Sequence, residues 1–125
     1  MRVELTVLGS GTSLGVPTIG CRCRVCQSPD PRDKRTRPSV LLRYNGRSVV
    51  IDTGPDYRFQ ALRAGLDRLD AVVFTHGHAD HILGLDDTRA FTLNLNHTIP
   101  IYGNGPALKG IRRTFQYAFD GYAPF

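Results

Sequence analysis

No stretch of this chain approaches the roughly twenty consecutive apolar residues that a membrane-spanning helix needs. The N-terminus has no apolar signal-peptide segment either, because Arg2-Val3-Glu4-Leu5-Thr6-Val7 alternates like a strand. A membrane is therefore excluded as a partner, and the cytoplasm is the expected compartment. Internal repeats and low-complexity tracts are missing, which excludes solenoids and leaves one domain for residues 1–125. Charge of one sign is only slightly in excess, at +5. That balance suits an anionic substrate such as a phosphate ester or RNA without arguing for nucleic acid by itself. With 41 % hydrophobic and 22 % charged residues, the usage is that of an ordinary soluble globular domain.

Histidine is scarce, with four in all, yet three of the four fall within Thr75-His76-Gly77-His78-Ala79-Asp80-His81. The run before them, Asp70 to Thr75, is rich in β-branched and aromatic residues and reads as a buried strand, so His76 and His78 point to one side of extended backbone. Asp80 and His81 follow where Ile82, Leu85 and Asp86 begin a helical pattern, which aims a second pair at the same space. Imidazoles with one carboxylate are donors that borderline divalent metals accept. Four such side chains crowd a volume too small for one ion to use them all, so the pattern favours a dinuclear site with His76, His78, Asp80 and His81 as ligands. A histidine-rich surface turn is the bland alternative.

Cysteine is scarcer still, and all three lie together as Cys21-x-Cys23-x-x-Cys26. Cys21 and Cys23 are too close for an easy disulfide, and clustered thiolates in a reducing compartment are better explained by a structural zinc than by free thiols. Three thiolates leave one tetrahedral position open. Outside the main motif only His97 remains to fill it, and Asn94 to Thr98 reads as a loop with His97 on the surface. The cysteines sit in a long Gly- and Pro-studded loop from Gly9 to Arg37, which a zinc knot would hold. Its tail, Arg32 to Arg37, reads as a solvated turn.

The remaining elements follow from punctuation and period. Asn45-Gly46 between two β-rich runs, Pro38 to Tyr44 and Arg47 to Asp52, is a hairpin signal. Tyr57 to Leu66 reads as a helix with Phe59, Leu62 and Leu66 inward, Ile82 to about Leu93 as another, Thr98 to Gly103 as a strand and Pro106 to about Phe119 as a basic amphipathic helix. The sheet is mixed, opening antiparallel and turning parallel through a crossover helix. Asp52, ending the second hairpin strand in Asp52-Thr53-Gly54, is placed to orient metal-bound histidines from behind, with helix capping as its alternative; Asp56 is read as a cap.

Thr-His-Gly-His-Ala-Asp-His resembles the signature of the metallo-β-lactamase superfamily. Leu8-Gly9-Ser10-Gly11-Thr12-Ser13-Leu14-Gly15-Val16-Pro17 and the cysteine cluster are similar to the branch of cyclic-phosphate phosphodiesterases of phosphonate metabolism, with quinone-cofactor synthesis proteins and tRNA 3′-processing nucleases as further relatives. The resemblance implies an α/β fold, the N-terminal half of a four-layer αββα sandwich, so the chain is expected to be truncated. It assigns His76 and His78 to a first metal and Asp80 and His81 to a second, with Asp52 supporting them. Asp80 and Asp52 are the carboxylates of the catalytic site. A third histidine for the first metal, a bridging aspartate, a last histidine, the general acid and a histidine closing the cysteine site would come from the remaining half. The expected cofactors are two zinc or manganese ions and one structural zinc. The implied reaction is hydrolysis of a small cyclic phosphodiester by metal-activated hydroxide, with two metals about 3.5 to 4 Å apart. The alternatives are an RNA 3′-end nuclease and, for the isolated 125 residues, an inactive metal-binding half-domain that dimerises through its uncovered sheet.

Overall fold

The alternation at the N-terminus and the Asn45-Gly46 signal both resolve into strands. In a computed structural model that describes residues 1–95 and 97–120, five strands form one mixed sheet. They are β1 (Val3–Gly9), β2 (Ser39–Tyr44), β3 (Arg47–Ile51), β4 (Ala71–Val73) and β5 (Ile101–Tyr102), side by side in chain order. Asn45 and Gly46 adopt φ of 48° and 72°, the left-handed pair that a two-residue hairpin turn requires. β1, β2 and β3 are antiparallel, whereas β3–β4 and β4–β5 are parallel. The mixed α/β sheet is thus as expected.

Register separates the two faces. Leu41, Val50 and Val72 are partners across β2, β3 and β4, and all three are fully buried. Leu8 and Leu69 join them, with Ile111 and Phe115 packing from the C-terminal helices. The opposite face carries Val40, Leu42, Val49, Ile51 and Val73, all half-buried, and ends at β1 with Val3, Leu5 and Val7 more than half exposed. The helices therefore cover one side of the sheet.

Helix α1 (Tyr57–Arg63) forms where expected but presents another side. Tyr57, Gln60 and Ala61 face inward, while Phe59 and Leu62 are exposed. Gln60 is buried with its Nε2 donating to Thr36 Oγ1 and to the Arg37 carbonyl, each at 2.9 Å, so a side chain with both amide hydrogens placed takes the position that hydrophobicity alone assigns to phenylalanine.

The single helix expected over 82–93 is broken into α2 (Ala79–Ile82), a 3-10 turn (Leu85–Thr88) and α3 (Arg89–Leu95). Gly84 lies at the break, its N–H donated to the Thr53 carbonyl at 2.9 Å rather than up a continuous helix. α3 also takes in Asn94, read from sequence as loop. Leu85 is buried and Phe91 packs on the core, but Leu83 and Leu93 are about half exposed. The last helix likewise divides, into α4 (Gly105–Thr114) and α5 (Gln116–Phe119), because Phe115 leaves helical geometry at φ −116°, ψ 42°. Residues 121–125 lie outside the described residues. No described helix is long and apolar enough to cross a membrane.

Candidate metal centre

Asp52 is where the site is built. It follows the last residue of β3 and takes φ +62°, a left-handed conformation that aspartate tolerates better than bulky residues. Its N–H donates to the Val73 carbonyl at 2.9 Å, and its own carbonyl accepts from Ser39 Oγ at 2.8 Å. The carboxylate, 4 % exposed as a residue, is thereby turned toward the segment after β4. There it accepts three hydrogen bonds. The Thr75 N–H reaches Oδ1 at 2.9 Å, and both the Thr75 hydroxyl (2.6 Å) and His81 Nδ1 (2.8 Å) reach Oδ2. The capping alternative for Asp52 falls, since it precedes no helix directly and its side chain holds this segment instead.

The histidines gather as the pattern predicts. β4 ends at Val73, the chain bends at Thr75, and His78 is the N-cap of α2 at φ −69°, ψ 150°. The rings of His76 and His78 are 4.6 Å apart between centroids, and those of His76 and His81 are 4.0 Å apart. Asp80 and His81 lie in the first turns of α2, where Asp80 Oδ2 is 3.0 Å from His81 Nε2. All four candidate ligands thus share one place, half-buried except for exposed His78. Of their donor atoms, Asp80 Oδ2 and His81 Nε2 are in contact, and no three of the four residues bring donors within 4.8 Å of one another. Among the described residues, the group of three or more donors mutually within 4.8 Å is formed by the thiols.

Cys21, Cys23 and Cys26 make up that group, with Cys21 and Cys23 exposed and Cys26 half-buried. Sulfur accepts backbone N–H donors here: Cys26 donates to Cys23 Sγ and Thr18 to Cys26 Sγ, each at 3.4 Å. The Cys26 N–H, aided by the thiols of Cys21 and Cys26, brings the Cys23 thiol down to about 7. A compact trio of thiols, one of them drawn toward the thiolate, is a donor set that soft-accepting metals such as zinc fit. His97, exposed ahead of β5, is not part of the group.

Three features were not legible as site features in the sequence. Thr75 bridges Asp52 to His76, its Oγ1 lying 2.9 Å from His76 Nδ1. Gly54 and Gly84 allow two turns to touch: a Cβ on Gly54 would sit 2.3 Å from the Asp80 carbonyl oxygen, and one on Gly84 would sit 1.9 Å from that of Gly54. Arg37, far from a solvated turn, donates its N–H to Asp56 Oδ2 at 2.9 Å and brings Nε to 2.9 Å of the same oxygen. Asp56 does occupy the N-cap position of α1, but its side chain makes no capping bond. It pins the cysteine-bearing loop to the Asp52-Thr53-Gly54 turn instead. Arg32, paired with Asp30 and almost fully exposed, keeps the solvated role expected of it.

Residues 47–124 match the family described as the β-lactamase superfamily domain. An octanoyltransferase of Porphyromonas gingivalis is 50 % identical over 90 % of this chain, which covers 23 % of that protein. A ribonuclease Z of Clostridium acetobutylicum is 33 % identical over 80 % of the chain and 32 % of its own length. Among solved structures, a diphosphatase from the PhnP family superposes with a TM-score of 0.92 at 55 % identity, over 95 % of this chain and 48 % of that one. The Zn(2+)-bound PqqB of Methylobacterium extorquens superposes with a TM-score of 0.70 at 27 % identity, over 90 % and 40 % respectively. The chain spans less than half the length of each of these proteins.

Proposed function

Since this chain belongs to the β-lactamase domain superfamily, we propose that it carries the metal-binding core of a hydrolase that cleaves a phosphorus–oxygen bond in a small phosphodiester, cyclic in the favoured case. The observation that carries the reading is the convergence of His76, His78, Asp80 and His81 in front of a buried carboxylate that holds the segment by three hydrogen bonds. His76 and His78 would hold one divalent ion and Asp80 and His81 a second. Cys21, Cys23 and Cys26 would hold a structural zinc. Divalent ions at the first two positions supply Lewis acidity and make water acidic enough to attack near neutral pH.

The chain's own residues supply the orientation. Asp52, through His81 Nδ1, leaves Nε2 as the nitrogen available for a ligand bond. The contacts of Gly54 and Gly84 lock the α2 segment against the Asp52 turn. The PhnP-family diphosphatase supports phosphate-ester chemistry for this branch, and the zinc-bound PqqB supports zinc. The region shared with the octanoyltransferase is a small part of that protein, so its name is carried no further. A second reading, RNA 3′-end cleavage, is favoured by the ribonuclease Z relative and the +5 charge.

The test is hydrolysis by the metal-loaded protein in its natural full length, with a cyclic phosphodiester, an inorganic diphosphate and a precursor tRNA offered in parallel. Turnover of the cyclic ester supports the reading. Cleavage of the tRNA alone selects the second reading, cleavage of the diphosphate alone moves the scissile bond to P–O–P, and a metal-saturated protein inert toward all three overturns the assignment.

A further inference from the structure

Resting on that reading of the metal centre, we infer that Thr75 is a positioning residue: its hydroxyl relays the orientation of Asp52 to His76, so that one buried carboxylate places a hydrogen on Nδ1 of two ligand imidazoles. A carboxylate only accepts, so the Thr75 hydroxyl, 2.6 Å from Asp52 Oδ2, spends its single hydrogen there. Toward His76 Nδ1, at 2.9 Å, that oxygen can then only accept. His76 therefore carries its hydrogen on Nδ1 and turns the lone pair of Nε2 outward. The same carboxylate oxygen accepts from His81 Nδ1 at 2.8 Å, which puts a hydrogen on that nitrogen too, while the 3.0 Å contact of His81 Nε2 with Asp80 Oδ2 is the one a bound ion would replace. His76 is thus set through the hydroxyl and His81 directly. The Thr75 N–H, at 2.9 Å from Asp52 Oδ1, fixes the carboxylate so that both contacts are held at once.

The inference concerns the shape of the site before any ion binds, and its test is independent of catalysis. Proton–nitrogen correlation spectra of histidine-labelled, metal-free protein at alkaline pH report the tautomer of each ring. The Nδ1–H form is expected for His76 and His81, and Nε2–H at His76 in the unmodified protein would overturn the relay. Thr75→Ser keeps the hydroxyl and should keep the spectrum. Thr75→Val keeps the shape without the hydroxyl and should release His76 while leaving His81 as it was. Zinc affinity at the histidine site, measured by competition with a chromophoric chelator, should fall about 10- to 100-fold in Thr75→Val and stay within a few-fold in Thr75→Ser. Equal affinity in both variants sinks the inference and leaves the proposed hydrolysis standing. Absence of phosphodiester cleavage in a protein with the expected tautomers does the reverse. If Thr75→Val fails to fold, the spectrum of the unmodified protein still decides.

Discussion

Replacing Gly84 by alanine should cost more than any other single methyl addition to the site. A Cβ there would stand 1.9 Å from the Gly54 carbonyl oxygen and 2.8 Å from Tyr57 Cβ. Real contacts do not close below 3.0 Å, so the two turns must separate by about 1.1 Å. The atom in the way is backbone and cannot rotate aside. Overpacking of this kind typically costs 1–3 kcal/mol, and the rigid obstacle places Gly84→Ala near ~3 kcal/mol. Separation also stretches two hydrogen bonds that join the turns, Gly84 N–H to the Thr53 carbonyl and Thr53 N–H to the His81 carbonyl, each 2.9 Å long. Because the second of these holds His81, metal affinity at the histidine site should fall along with stability. Gly110 provides the control: it lies within α4 with open space where a Cβ would go. Gly110→Ala should stabilise by roughly 0.5–1 kcal/mol through helix propensity. Urea denaturation of the two variants, followed by zinc titration, reads both effects. A Gly84→Ala protein within about 0.5 kcal/mol of the parent, or one destabilised with unchanged zinc affinity at the histidines, would refute the argument that this contact positions the site.

Two other perturbations separate the parts of the molecule. Cys23→Ser should remove one zinc per chain by elemental analysis, and a protein that keeps its full zinc content would dissociate the cysteines from metal. The Arg68 guanidinium holds the Asp70 carboxyl below the usual carboxylate range, while Asp70 also accepts the Ser48 N–H at 2.8 Å. A depressed folded pKa gives stabilisation that is present above the ordinary carboxylate pKa of about 4 and is lost as pH falls through the lower folded value. Asp70→Asn should therefore flatten the acid limb of the stability profile and lower stability at neutral pH. An unchanged acid limb would remove Asp70 from the account.

What the sequence made legible depended on whether the signal was local. The hairpin at Asn45-Gly46 was readable because two adjacent residues with φ above zero specify it. The clustering of His76, His78, Asp80 and His81 was readable because a strand end and a helix start within six residues leave the side chains little choice. The cysteine trio was readable because three thiols within six residues have little room to lie apart. Misreadings arose where a distant partner decided. Gln60 displaced Phe59 and Leu62 from the inner face of α1 because Thr36 and Arg37, more than twenty residues away, accept both hydrogens of its Nε2. Gly84 broke an otherwise helical pattern because Thr53 and Gly54 sit against it. Asp56 resembled a cap by position but is engaged by Arg37. Thr75 looked like the end of a strand, and its hydroxyl acquires a role only once Asp52 is in place.

The most direct test of the central claim is anomalous diffraction at the zinc edge from crystals of this protein saturated with zinc. The account predicts anomalous density at two places, among Cys21, Cys23 and Cys26 and among His76, His78, Asp80 and His81, with Asp52 behind the second and touching no ion. Density at the cysteines alone, with the histidine cluster empty at saturating zinc, would contradict it.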